Sequence, residues 1–159
     1  MTEDDLRKEL IKLFSKLDQV KDFYAQELLS DADRDKMLEE CKQKIYNEFW
    51  TRGGNPRMPN NKNIRTYIAN FEKVATFPYD VIDLLLYRVE TATEFANRFG
   101  GMPEAAYNSS ISAFDKAVKL MKKHKLEDEF KKRCGELFAY SNLSGWYSSQ
   151  LKELFENID

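Results

Sequence analysis

The sequence predicts an all-α fold, and three observations lead to that prediction. Apolar residues recur every three or four positions along most of the chain, as they do on the buried face of an amphipathic helix. No segment shows the strict alternation of apolar and polar residues that indicates a half-buried strand. Proline and glycine mark the ends of periodic segments: Pro78 and Pro103 open such segments, and Gly100 and Gly101 close one.

The first half of the chain contains four periodic segments. Thr2 can cap a helix whose first turn is acidic, and the apolar stripe of that helix begins at Leu6. The stripe changes phase near Asp18, which predicts a bend or a second helix from about residue 19. A third helix is predicted from about residue 34, with the buried face Leu38, Cys41, Ile45 and Phe49. A fourth follows from about residue 62, after a glycine- and proline-rich loop over residues 50–63.

The second half of the chain predicts four more helices. The helix that starts near residue 79 has apolar residues on both sides, with Leu85 on one face and Leu84 and Phe95 on the opposite one. We therefore expect it to be the central helix. The remaining helices are predicted to start near residues 103, 126 and 143.

We expect a single all-helical domain that comprises residues 1–159, because a chain of this length can form one core. Its seven or eight amphipathic helices are predicted to stack as antiparallel hairpins into a short superhelix. An irregular helical bundle is the alternative. No pattern in the sequence predicts the oligomeric state.

Composition excludes several classes of protein. The chain is 42% hydrophobic and 33% charged, which is typical of a folded, soluble protein and not of a disordered one. No apolar run approaches the ~20 residues of a membrane-spanning helix, and the acidic start is unlike a signal peptide. Cys41 and Cys134 are far apart, which favours reduced core thiols, with one disulfide bridge as the alternative. We therefore expect a cytoplasmic protein without a membrane partner.

The residue inventory gives little support for an enzyme. The single histidine, His124, is too few for a di-iron carboxylate bundle or a zinc site. It lies in a lysine-rich segment, where we expect a surface position rather than a catalytic role. The sequence also lacks the glycine-rich phosphate loops and the motifs of serine and zinc hydrolases. We predict no catalytic residue, no metal ligand and no cofactor.

Two basic segments stand in an otherwise acidic chain. Residues 49–71 contain four basic residues and no acidic one, and residues 116–133 contain eight basic and three acidic residues. The candidate ligand-binding residues in the first segment are Trp50, Arg52, Arg57, Lys62 and Arg65. Arginine and the N terminus of the following helix are suited to a phosphate, whereas the alternative is a solvated loop. Nucleic-acid binding would require both basic segments to form one surface.

A row of polar residues marks one face of the predicted central helix. Asp83, Tyr87, Glu90 and Glu94 are spaced so that they lie on the same side. Burying carboxylates is unfavourable unless each has a partner, so these residues are expected to line a wet groove or to pair with cations from neighbouring helices. The remaining alternative is an acid–base site or a site for a hard metal ion such as magnesium or calcium.

Several segments together resemble a known family. They are FYAQELL from Phe23, KMLEECKQKIYNEF from Lys36, VIDLLLYRVETATEF from Val81, FKKR from Phe130, and the pair Gly145 and Trp146. Over most of its length the chain is similar to an uncharacterised bacterial family catalogued as a domain of unknown function, family 6155. The resemblance implies a helical fold and carries over no activity, cofactor or catalytic residue.

The function that the sequence favours is that of a non-enzymatic interaction module. Abundant amphipathic helices, frequent aromatic residues and the lack of a catalytic constellation favour a protein that binds a protein or peptide in a groove beside the central helix. The alternative is the binding of nucleic acid or of a phosphorylated ligand through the basic 50–65 loop. An enzyme is the third and least supported class.

Overall fold

Seven α-helices make up most of the described chain. The computed structural model describes residues 2–16, 31–142 and 144–158. The helices are α1 (Glu3–Lys16), α2 (Asp31–Phe49), α3 (Asn61–Val74), α4 (Pro78–Phe99), α5 (Glu104–His124), α6 (Glu127–Tyr140) and α7 (Gly145–Asn157). Within these residues no strand forms, and one isolated bridge joins Trp50 to Pro56. The all-α prediction is confirmed, whereas the helix expected from about residue 19 lies outside the described residues.

Side chains at the helix starts satisfy free backbone groups. Asn60 caps α3 by accepting a hydrogen bond from the backbone N–H of Asn63 at 3.1 Å, and Ser144 caps α7 in the same way. Pro78 is the first residue of α4, a position where its missing N–H has no consequence. Because α3 already begins at Asn61, the loop after α2 is shorter than the predicted range of residues 50–63.

α4 is the central helix of the fold, as predicted. It packs against α2, α3 and α5. Its buried residues occupy every side of the helix except the one that carries Asp83, Tyr87, Glu90 and Glu94. The buried set includes Leu84 and Phe95, which the sequence placed opposite the main apolar face. The partners of most polar side chains on α4 must therefore come from the helices around it.

The helices pack in chain order. α4 and α5 form the most extensive pair, and the other main contacts join helices that are adjacent or separated by one helix, such as α2 with α4 and α5 with α7. Contacts of this kind occur both in stacks of helical hairpins and in helical bundles, the two architectures that the sequence left open. None of the helices in the described ranges is long and apolar enough to cross a membrane.

Both cysteines lie in the core as free thiols, as the sequence predicted. Burial raises the pKa of Cys41 on α2 to about 11 and the pKa of Cys134 on α6 to about 12. The two thiols are therefore protonated at neutral pH. Because the thiolate is the nucleophile, they are structural groups rather than reactive ones.

Two glycine substitutions test the assigned helix geometry. Gly100 ends α4 with a φ of 73°, a left-handed conformation in which a side chain is strained. Gly100→Ala should therefore lower the free energy of unfolding by about 1 kcal/mol. Gly135 lies within α6 with open space around it, so Gly135→Ala should raise that free energy by about 0.5–1 kcal/mol. Denaturant unfolding measures both changes, and effects of the same sign would contradict the assignment.

Candidate functional site

Arg133 on α6 joins two carboxylates of α4. Its Nη1 donates to Asp83 Oδ1 at 2.6 Å, and its Nε donates to Glu90 Oε1 at 3.0 Å. Lys42 on α2 donates to the other carboxylate oxygen of Asp83 at 3.1 Å. Burial alone would lower the pKa of Arg133, but the hydrogen bonds and charges of Glu90 and Asp83 raise it. These pairs therefore attach α2 and α6 to α4.

A groove of about 330 Å³ lies between α2, α4 and α6. We call it the acidic groove, and its lining residues are Tyr46, Tyr87, Glu90, Thr91, Glu94, Glu136, Leu137 and Tyr140. Three of them are glutamates, three are tyrosines and none is basic. Three of the four predicted groove residues, Tyr87, Glu90 and Glu94, thus line one groove. Asp83 is not among the lining residues and is engaged by Arg133 and Lys42.

The carboxylates of the acidic groove are incompletely neutralised. Glu94 approaches Arg98 only to 3.9 Å, and Glu136 forms no ion pair among the residues that the structure describes. Burial raises the pKa of Tyr87, and the negative charge of Glu94 adds to this effect. The phenol is therefore neutral at physiological pH. The acidic groove presents negative charge beside neutral aromatic rings.

Trp50 belongs to the core and not to a binding surface. Its side chain is fully buried, with ring centroids of Phe95 and Phe99 at 5.5 and 5.3 Å from its own. The guanidinium of Arg98 stacks over the indole at 4.6 Å from the ring centroid. This placement corrects the prediction for Trp50, because an indole enclosed by other side chains is not accessible to a ligand of the loop.

The four basic residues predicted for the 50–65 loop occupy different positions. Arg52 is exposed in the turn after α2. Arg57 Nη1 donates to the backbone oxygen of Asn47 at 3.1 Å, near the C-terminal end of α2, where a cation is favourable. Lys62 and Arg65 are exposed residues of α3 and not of the loop, because the capped helix has already begun. Arg65 lines a cavity between α3, α4 and α5.

Ion pairs neutralise part of the second basic segment, residues 116–133. Lys116 pairs with Glu72 of α3, and Lys119 pairs with Asp115 at 2.6 Å. Arg133 is occupied by the two carboxylates of α4. These pairs reduce the positive potential that nucleic-acid binding requires.

The cavity that Arg65 lines has a volume of about 420 Å³. We call it the arginine cavity, and its lining residues are Arg65, Ile68, Ala69, Leu85, Arg88, Asn108, Ser109, Ser112, Ala113 and Lys116. Three of these residues are basic and none is acidic. The sequence predicted one of the three, Arg65, as a binding residue.

Arg88 on α4 is the residue that sequence reasoning missed. It is only 1% exposed, and its Nη1 and Nη2 donate to Ser110 Oγ at 2.7 Å and Asn61 Oδ1 at 3.0 Å. Burial lowers its pKa from 12.5 to about 10, so it remains charged at neutral pH. This difference corresponds to an unfavourable contribution of roughly 3 kcal/mol to folding. The available indication was its position between Leu85 and Val89, within the apolar pattern of the central helix.

Metal-binding groups are not assembled in the described part of the chain. There, no three histidine, cysteine or carboxylate side chains come together in a way that could hold a metal ion. The single histidine, His124, is exposed at the C-terminal end of α5, as expected from its lysine-rich surroundings.

The helices and the two sites define an all-helical protein whose central helix contributes an acidic groove on one side and a buried arginine on another. The chain belongs to the family described as "Family of unknown function (DUF6155)", whose model matches residues 1–159. Membership of this family was predicted and is confirmed. Comparison with curated proteins and with solved structures gives no match.

Removing Arg133 tests the role of the ion pairs on α4. Arg133→Met should lower the free energy of unfolding by about 2 kcal/mol, because Glu90 loses its donors and Asp83 keeps only Lys42. Lys152→Met is the control, since its pair with Glu156 is exposed and 3.9 Å long. The control should change the free energy by less than about 0.5 kcal/mol. Denaturant unfolding measures both, and a wild-type value for Arg133→Met would contradict a structural role.

Proposed function

We propose that this protein is a non-enzymatic interaction module that binds a basic peptide segment of a partner protein in the acidic groove. The observation that carries the proposal is the composition of the groove lining, which combines three glutamates with three tyrosines and includes no basic residue. Such a surface is complementary in charge to lysine and arginine side chains, and its aromatic residues can contact their cationic groups.

The two components of the groove would act on different parts of the same partner side chain. Of the three tyrosines that line the groove, Tyr46 stacks on Trp50, and the Lys42 ammonium lies 5.5 Å from the centroid of the Tyr87 ring. Tyr140, which is 48% exposed, offers the most accessible ring to a guanidinium or ammonium group of the partner. Glu94 and Glu136 provide carboxylates that are weakly paired or unpaired within the described structure, so a partner cation does not need to displace a strong internal ion pair. An arginine- or lysine-rich segment is therefore the favoured partner.

The two buried cysteines bear on the compartment in which we propose that the protein acts. The two thiols are buried and protonated, which agrees with a cytoplasmic, reducing environment. We place the protein in the cytoplasm of a bacterium as part of this proposal.

Binding of a labelled arginine-rich peptide tests the proposed function. The probe is a fluorescent dodecapeptide with four arginines, and its acidic counterpart carries four glutamates. The double variant Glu94→Gln/Glu136→Gln should bind the basic peptide about 5- to 10-fold more weakly, because two favourable charge contacts are lost. Fluorescence anisotropy measures the dissociation constants.

The matched control for this experiment is Glu153→Gln, which removes an exposed carboxylate of α7 that does not line the acidic groove. It should bind the basic peptide as the wild type does. Equal affinity of the wild type and the double variant, or equal affinity for the acidic and basic peptides, would refute the proposed function.

The binding of a phosphorylated ligand is a second candidate function. It was first suggested by the basic residues near the loop after α2, and of these only Arg65 is among the residues that line the arginine cavity. The ion pairs of Lys116 and Lys119 make nucleic acid a less favoured partner than a small anion.

A further inference from the structure

Arg88 is the one charged side chain that is buried among the residues that the structure describes. Its hydrogen-bond partners, Ser110 and Asn61, are both neutral. An arginine carries five N–H donors, and these two contacts leave its positive charge without a carboxylate. Buried charges are normally paired, so a buried cation with only neutral partners is an unusual and unfavourable arrangement.

Two further cations line the same cavity. Arg65 is close enough to contribute to the lowered pKa of Arg88, as expected for neighbouring charges of the same sign. Lys116 also lines the cavity, although it forms an ion pair with Glu72. No acidic residue is present in the lining, so the cavity has a net positive charge. An anion in this cavity would relieve the repulsion and supply the missing counter-charge.

The other lining residues indicate the kind of anion. Ser109, Ser112 and Asn108 add neutral hydrogen-bonding groups, whereas Ile68 and Leu85 add apolar surface. The volume of about 420 Å³ lies in the range of pockets that bind small organic molecules. A planar guanidinium is suited to two parallel hydrogen bonds with a carboxylate or a phosphate.

We propose that the arginine cavity binds a small organic anion, in which a carboxylate or phosphate group contacts Arg88 and Arg65 and an apolar body contacts Ile68 and Leu85. The site is separate from the acidic groove, because the two share no lining residue. The proposal therefore does not depend on the peptide-binding function.

The surroundings of Arg88 allow its role in binding to be separated from a role in stability. The hydroxyl of Ser110 donates to the backbone oxygen of Ala106 at 2.8 Å, and Asn61 is only partly buried. In Arg88→Met, Ser110 would keep its bond to Ala106, and Asn61 would have access to water. Replacing a buried charge by an apolar side chain of similar length is often neutral or stabilising. The melting temperature of Arg88→Met should equal or exceed that of the wild type.

Isothermal titration calorimetry with four probes tests the proposal. The probes are phenyl phosphate, benzoate, inorganic phosphate and benzyl alcohol, the last being a neutral control. We expect one of the two aromatic anions to bind at millimolar concentration or below and benzyl alcohol not to bind. Tighter binding of benzoate assigns a carboxylate ligand, and tighter binding of phenyl phosphate assigns a phosphate monoester.

The variants connect this binding to the cavity. Arg88→Met should weaken binding of the preferred anion at least tenfold, and Arg65→Gln should weaken it about fivefold. Arg52→Gln, an exposed arginine outside the cavity, is the matched control and should leave the affinity unchanged. If Arg88→Met does not fold, the comparison of Arg65→Gln with Arg52→Gln decides the question.

Three results would overturn the proposal. The first is the failure of both aromatic anions to bind the wild type at 5 mM, a concentration about five-thousandfold above the dissociation constant of a micromolar ligand. The second is unchanged affinity in Arg65→Gln and Arg88→Met. The third is equal affinity for inorganic phosphate and the preferred aromatic anion, since the apolar wall would then contribute nothing.

Discussion

Neighbouring helices enclose α4, and this burial determines how each polar side chain on the helix is accommodated. Every side of this helix except one is covered by neighbouring helices. A polar side chain on such a helix must find a partner or remain at an energetic disadvantage. Asp83 and Glu90 find theirs in Arg133, which also attaches α6 to the centre of the fold. Arg88 instead has two neutral hydrogen-bond partners and lines a cavity. The ion pairs of Arg133 connect helices, whereas the unpaired charge of Arg88 marks a candidate binding site.

The two candidate sites lie on different sides of the central helix α4. On its partly open side, α4 presents carboxylates and Tyr87 to a groove that α2 and α6 border. On a buried side, it holds a guanidinium against α3 and α5. Residues on the interior of a packed helix have little freedom to rearrange, so both sites are preorganised by the same packing that stabilises the core. Their opposite charges favour ligands of opposite charge, and the two proposed binding functions can be tested separately by mutation.

Periodicity predicted the helices, the central position of α4 and much of the core, because each depends on the local spacing of apolar residues. It also placed Tyr87, Glu90 and Glu94 on one side of that helix. It could not predict which helix covers which side, and therefore missed Arg88 and assigned Trp50 to a binding loop. The phase of a short helix is equally ambiguous: Trp146 is 57% exposed, whereas its neighbour Tyr147 is buried. Long-range packing, which a single sequence does not display, decides each of these cases.

Hydrogen exchange of the native protein, measured by mass spectrometry or NMR, tests the central position of α4 most directly. Amides in the middle of a helix that is covered by its neighbours exchange only when the whole domain unfolds. We expect amides of α4 between residues 82 and 96 to exchange most slowly in the described chain, with an opening free energy equal to that of global unfolding. Exchange of these amides through local opening, faster than that of α7, would contradict this expectation.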